Sequence, residues 1–161
     1  YAICYGAGNA KLGQIVGKGP QEGQKLKDKF FKQLPAFKKF RDDVMKKAET
    51  GYLRGLDGRR VPVRSTHSAL NTLCQSAGAI ICKRWVVEFH KMMQEQGYTE
   101  GTDYQQVAFV HDEIQVLTRK GLGDDIGETA VRAIELSGNW YGLRLPLTGE
   151  YKIGRNWAET H

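Results

Sequence analysis

The chain has 161 residues, 40% of them hydrophobic, and a formal net charge of +6, enough apolar material for one domain-sized core. No apolar run approaches the ~20 residues that span a bilayer and no signal-peptide pattern opens the chain, so a soluble intracellular protein is expected rather than a membrane or secreted one. Cys4, Cys74 and Cys82 are odd in number and lack metal-ligand spacing, and so read as reduced core thiols.

The charge is lopsided. Residues 1–50 hold 11 Lys/Arg against 5 Asp/Glu, and residues 51–161 hold 13 of each, so the whole excess lies in the first third. That third reads as helical. Gly17-Lys18-Gly19-Pro20 separates a short helix around Leu12, Ile15 and Val16 from a second, Gln21 to Leu34, where Lys25, Lys27, Lys29 and Lys32 interleave with Leu26, Phe30 and Phe31. Pro35 opens a third helix, carried to Gly51 by Phe37, Phe40, Val44 and Met45. On pattern alone the lysines are a solvated face, and an excess of this size supports only weak, salt-sensitive attraction to polyanions.

From Tyr52 the period changes. Tyr52-Leu53-Arg54 and Arg60-Val61-Pro62-Val63-Arg64 flank Gly55-Leu56-Asp57-Gly58, a hairpin signal with Asp-Gly at its turn. Pro62 removes a ladder donor and marks an edge or twisted hairpin. Arg54, Arg59, Arg60 and Arg64 are either a solubilising edge or a nucleic-acid backbone contact. Ser65 or Thr66 can cap a helix of ~31 residues and ~45 Å that reaches about Gly97. Its inward stripe is Leu70, Leu73, Ala77, Ile81, Trp85, Phe89 and Met92. His67, Asn71 and Gln75 share a second face, whose default reading is the wet side. His90, among apolar neighbours, reads as a packed or surface histidine.

Phe109-Val110-His111-Asp112-Glu113-Ile114-Gln115-Val116 places three ionisable side chains between two strand-like runs. His-Asp-Glu has none of the conformational benefit of Asn-Gly or Asp-Gly in such a turn. It does put a carboxylate at a rigid strand tip, which suits a hard divalent cation such as Mg²⁺; the other reading is a solvated turn with accidental charges. Farther on, Asp124 to Trp140 suggests a helix with Ile126, Ala130, Ala133, Ile134 and Leu136 inward. Leu143-Arg144-Leu145-Pro146 and Glu150-Tyr151-Lys152-Ile153 are candidates for a late strand, and on pattern alone the terminal His161 reads as an idle tail.

Val110-His111-Asp112-Glu113 matches motif C of the family A (Pol I-type) DNA polymerases, and two further blocks occur in that family's order. Tyr1-Ala2-Ile3-Cys4-Tyr5-Gly6 resembles the end of the fingers helix, motif B. Gly55-Leu56-Asp57-Gly58-Arg59-Arg60 and His67 through Ala79 resemble the palm hairpin and the long palm helix after it. The wording, including the end Asn156-Trp157-Ala158-Glu159-Thr160-His161, is most similar to replicative polymerases of short-tailed phages, and the likeness covers essentially the whole chain.

The resemblance implies an α+β fold, with a helical basic part of the fingers at 1–50 and a partial palm at 51–161. It implies a template-directed enzyme that adds deoxynucleotides to a primer end with two Mg²⁺ ions. Asp112 would be the metal ligand and Glu113 a catalytic support to the metal or primer side. His111 would bond near the primer end, Tyr5 would stack at the template base, and Tyr1 would line the sugar pocket of the nucleotide. His67, Asn71, Gln75 and Arg59 would contact DNA, His67 standing where the family often has Arg, and His161 would reach the site. The second metal-binding Asp of motif A and the Lys and Arg of motif B would lie upstream, so the chain is expected to be a C-terminal piece, inactive alone, of a larger polymerase. Primer-template DNA, deoxynucleotide and the N-terminal remainder would be its partners, in the cytoplasm of a bacterial host if phage-encoded; a processivity partner is left open. A non-catalytic nucleic-acid-binding module is the alternative, and a one-carboxylate hydrolase finds no second ligand cluster such as His-Glu-x-x-His.

Overall fold

The computed structural model describes residues 2–3 and 5–160; the expectations for Tyr1, Cys4 and His161 lie outside the described residues. The architecture is α+β, helices with two separate two-stranded antiparallel sheets. Two compact units divide the chain, Tyr1–Ala77 and Gly78–His161.

In the first unit, α1 (Asn9–Ile15), α2 (Pro20–Gln33) and α3 (Pro35–Ala48) follow the expected order. Pro20 and Pro35 stand at the first position of their helices, where no backbone donor is needed. Pro35 also explains why α2 stops at Gln33: the residue before a proline is pushed out of helical geometry, and Leu34 sits at φ −126°, ψ 65°. α3 ends at Ala48, short of the expected Gly51, which instead turns the chain at φ +82°. α1 and α2 meet through glycines: a β-carbon on Gly23 would fall 2.0 Å from the Asn9 carbonyl oxygen, and one on Gly13 would fall 2.2 Å from that of Gly19. Phe30, Phe31 and Phe37 join α2 to α3, with Arg41 5.3 Å above the Phe31 ring.

β1 (Tyr52–Arg54) pairs with β2 (Arg60–Pro62), Leu53 opposite Val61. The Gly58 N–H donates to Gly55 at 2.9 Å and Gly58 takes φ +84°, so Asp57-Gly58 does close the turn. Val44, Ala48, Leu53, Ala69 and Leu70 are the buried centre of this unit.

A short 3₁₀ turn, Thr66–Ser68, leads into α4 (Ala69–Glu95). The expected cap is absent: Ser65 makes no side-chain capping bond, and the Ser68 hydroxyl donates to the Ser65 carbonyl at 3.0 Å. At its far end Gly97, at φ +84°, reverses the chain, and the Tyr98 N–H donates to Met93 at 3.0 Å, a glycine-terminated helix end. The buried stripe is offset from expectation, with Ile80 and Met93 buried where Ile81 and Met92 are only partly so. Cys82 is half-buried, but Cys74 is exposed and does not belong to a core.

The second unit has its own core of Phe89, Met93, Tyr104, Ile126 and Ala133. Phe89 and Met93 are fully buried and lie four residues apart on α4, which contributes ~1.5–3 kcal/mol for each side chain. His90 is a packed histidine, 3.1 Å from the Tyr104 hydroxyl. β3 (Tyr104–Val110) and β4 (Glu113–Thr118) form the second hairpin, with a register shift between Gln106 and Ala108 that leaves Val107 54% exposed. α5 (Gly123–Trp140) buries Ile126 and Ala133, whereas Leu136, expected inside, is exposed.

The expected late strand does not form; residues 143–153 have no ladder partner. They cross α5 instead, held by side chains over glycines. A β-carbon on Gly127 would meet the Tyr151 ring at 2.3 Å, one on Gly123 would meet Ile153 at 2.9 Å, and one on Gly138 would meet Leu147 at 3.0 Å. The Tyr151 hydroxyl also donates to Asp124 at 3.2 Å. A last turn, α6 (Trp157–Thr160), follows. No helix among the described residues is long and apolar enough to cross a membrane.

Candidate active-site hairpin

Val110 pairs with Glu113, so His111 and Asp112 alone form the loop between β3 and β4. Two-residue loops of this kind call for positive φ, and His111 takes it at +55°. Histidine tolerates that region better than most residues, yet the conformation costs on the order of 1–3 kcal/mol. The sheet ladder and the core beneath Ile114 and Val116 hold it there.

Asp112 is exposed at this tip, and among the described residues no hydrogen bond or ion pair engages its carboxylate. Its charge is felt nearby: burial first and Asp112 second push the Cys82 thiol above its usual pKa. Glu113 is placed differently. It is half-buried and accepts from Gln115 Nε2 at 2.5 Å and from the Trp157 indole N–H at 3.1 Å. A cleft of about 670 Å³ opens beside the hairpin, with Asp112, Glu113, Cys82, Trp85, Tyr151 and Trp157 in its walls.

The other expected site residues belong to the first unit. Tyr5 is half exposed in the turn before α1. His67 is exposed, and its Nε2 lies 2.7 Å from the Gly6 carbonyl oxygen; a carbonyl only accepts, so the ring must carry its proton on Nε2. Gln75 is exposed, while Asn71 is half-buried with its Oδ1 buried and without a partner. The Arg59 guanidinium grips Asp57, with Nη2 2.6 Å and Nε 2.8 Å from Oδ2, and this hydrogen bonding holds the Asp57 carboxyl below its ordinary pKa. The structure therefore gathers His111, Asp112 and Glu113 at one hairpin and His67 with the Tyr5-Gly6 turn. Sequence reasoning did not find the attachment of Trp157 to Glu113, although Asn156-x-x-Glu159 carries the signal of a capped turn.

Sequence comparisons define the class of protein, and a structural comparison agrees with the fold. The chain belongs to DNA polymerase family A, whose family model matches residues 1–159. It is 41% identical over 179 residues to the DNA-directed DNA polymerase of Escherichia phage T7 and 40% over 179 residues to that of Enterobacteria phage T3, in each case across 100% of this chain and 25% of the relative. DNA polymerase I of Aquifex aeolicus (strain VF5) is 32% identical over 153 residues, covering 93% of this chain and 26% of that protein. The chain thus spans about a quarter of the length of these relatives. Among solved structures, the POL domain of Pol1 from M. smegmatis, in complex with DNA primer-template and dNTP, superposes with a TM-score of 0.74 at 19% identity, over 85% of this chain and 26% of that one. Family A polymerases work with divalent metals in general; among the described residues no group of three His, Cys, Asp or Glu side chains is placed to hold an ion.

Proposed function

We propose that this chain supplies part of the fingers, residues 1–50, and part of the palm, residues 51–161, of a template-directed DNA polymerase that extends a primer 3′ end in replication. The observation that carries this reading is Asp112, an exposed carboxylate held at a strained hairpin tip within Val110-His111-Asp112-Glu113. Its unengaged oxygens fit a hard divalent cation as one ligand of a shared set. Two Mg²⁺ ions bound there would supply positive charge opposite the attacking 3′-hydroxyl oxygen and the leaving pyrophosphate. Glu113 keeps a second negative charge beside that position, and His111 offers a ring nitrogen to the primer end. Tyr5 stacks at the template base, and Tyr1 lines the sugar pocket of the incoming nucleotide. Arg59 contacts the DNA backbone by sharing the guanidinium that grips Asp57, and His67 contacts DNA from its place against Gly6. His161 is a further contact proposed for the same active site. The partners are primer-template DNA, a deoxynucleotide and the rest of the polymerase, in the cytoplasm of a bacterial host if phage-encoded.

Primer extension tests this. The 161-residue chain alone is expected to incorporate no nucleotide, because a one-carboxylate metal site lacks the charge the reaction needs; mixed with a segment carrying the remaining polymerase motifs, it is expected to become active. Template-dependent incorporation by the chain alone, or silence in the mixture when both parts are folded, would sink the reading.

Asn71 and Gln75 are proposed to follow the new duplex through its minor groove, where purine N3 and pyrimidine O2 accept from an amide whatever the sequence. The buried, unpartnered Asn71 Oδ1 directs that amide's donor end outward, since a buried oxygen cannot itself reach the duplex. One neutral hydrogen bond contributes ~0.5–1.5 kcal/mol, so Asn71→Ala and Gln75→Ala should each slow extension of matched primers by a few-fold to about ten-fold, and of mismatched primers less. An unchanged ratio of matched to mismatched extension would return both residues to the helix's wet face.

A further inference from the structure

The last turn of the chain is built for the hairpin. The Glu159 N–H donates to Asn156 Oδ1 at 3.3 Å, while the Glu159 carboxylate accepts from the Arg155 N–H at 2.8 Å and from Asn156 Nδ2 at 3.3 Å. This reciprocal cap folds a four-residue helix that propensity alone would not sustain. On it, Trp157 and Thr160 are three apart and so share a face. On β4, Glu113 and Gln115 are two apart and share a face of the strand. The two pairs meet: the Trp157 indole N–H donates to Glu113 Oε1 at 3.1 Å, and the Thr160 hydroxyl lies 3.4 Å from Gln115 Oε1. Gln115 Nε2 closes the set by donating to the same Glu113 oxygen at 2.5 Å.

We propose that Trp157 is a positioning residue that sets the Glu113 carboxylate beside Asp112, with Thr160 and Gln115 completing the set. Two donors on one oxygen restrict the rotamer of the Glu113 side chain at the strand end, and an indole N–H can only donate. The ring is 48% exposed, so burial alone does not place it.

The catalytic part of the proposal rests on the polymerase reading, and the test separates the two. In ¹⁵N spectra of the metal-free 161-residue chain, the Trp157 indole N–H resonance should shift on Glu113→Gln and stay put on Gln75→Ala. In the intact polymerase, Trp157→Phe, which keeps an aromatic ring and removes the donor, should lower kcat three- to ten-fold with KM for the nucleotide unchanged. The double variant with Glu113→Gln should be no slower than the slower single one. Thr160→Ser should retain activity that Thr160→Val loses. An indole resonance indifferent to Glu113→Gln would overturn the contact, and multiplying rate losses, or a Trp157→Phe enzyme as fast as wild type, would overturn the positioning role. Full activity of Asp112→Ala would overturn the polymerase reading at this hairpin and the catalytic consequence with it, while leaving the contact standing on the spectra.

Discussion

Replacing Asp112 with alanine in the intact polymerase is expected to lower the rate of nucleotide incorporation by at least ~10²–10³-fold, the range typical for removing one preorganised charge stabiliser. Asp112→Asn should lose nearly as much, since it keeps the shape and discards the charge. Stability should hardly change. The carboxylate is exposed and makes no hydrogen bond or ion pair among the described residues, so unfolding free energy is expected to stay within ~0.5 kcal/mol. Primer-extension kinetics beside a urea titration make the comparison. Activity within a few-fold of wild type for both variants would remove Asp112 from the chemistry, whereas a large fall in stability would assign it a role in the fold.

The second expectation concerns glycines in helices, which look alike in sequence and differ in surroundings. Gly23→Ala drives a methyl group into the Asn9 carbonyl oxygen, 2.0 Å from the new β-carbon, and Gly13 N is 2.7 Å away. Both are backbone atoms and cannot swing aside. Overpacking of this kind costs ~1–3 kcal/mol, and the ~1 kcal/mol gained in helix propensity offsets only part of it. Gly78→Ala on α4 meets nothing within 4 Å and should raise stability by ~0.5–1 kcal/mol. Circular dichroism of the two variants under urea should move the midpoint in opposite directions. If Gly23→Ala is as stable as wild type, α1 and α2 do not cross at these glycines.

Much of the fold was legible because it was written in local signals. Pro35 opened its helix where expected, Pro20 took the first position of a helix expected one residue later, and alternation with Asp57-Gly58 located the first hairpin. The hairpin around Asp112 was legible for the opposite reason: His111-Asp112-Glu113 makes little sense as turn chemistry, yet the strand-like runs on either side of it do pair, with His111 at φ +55°. What escaped was tertiary. Leu143-Arg144-Leu145-Pro146 and Glu150-Tyr151-Lys152-Ile153 look strand-like, but their side chains settle over Gly123, Gly127 and Gly138, and no propensity reports an acceptor surface on another element. Leu136 follows the helical stripe of α5 and is nonetheless exposed, since periodicity names a face and not how far its cover extends. Nor did the polar row of His67, Asn71 and Gln75 disclose that His67 would reach back to Gly6.

The crossing of the terminal segment over α5 has a consequence for how this chain can change over generations. At each crossing one partner is a glycine and the other a bulky side chain: Gly123 under Ile153, Gly127 under Tyr151, Gly138 under Leu147. A larger residue at position 127 calls for a smaller one than Tyr151 above it, whereas at Gly123 and Gly138 the aliphatic Ile153 and Leu147 side chains can shift to make room. The route of the chain toward the Asp112 hairpin is thus held most tightly where the Tyr151 ring covers Gly127.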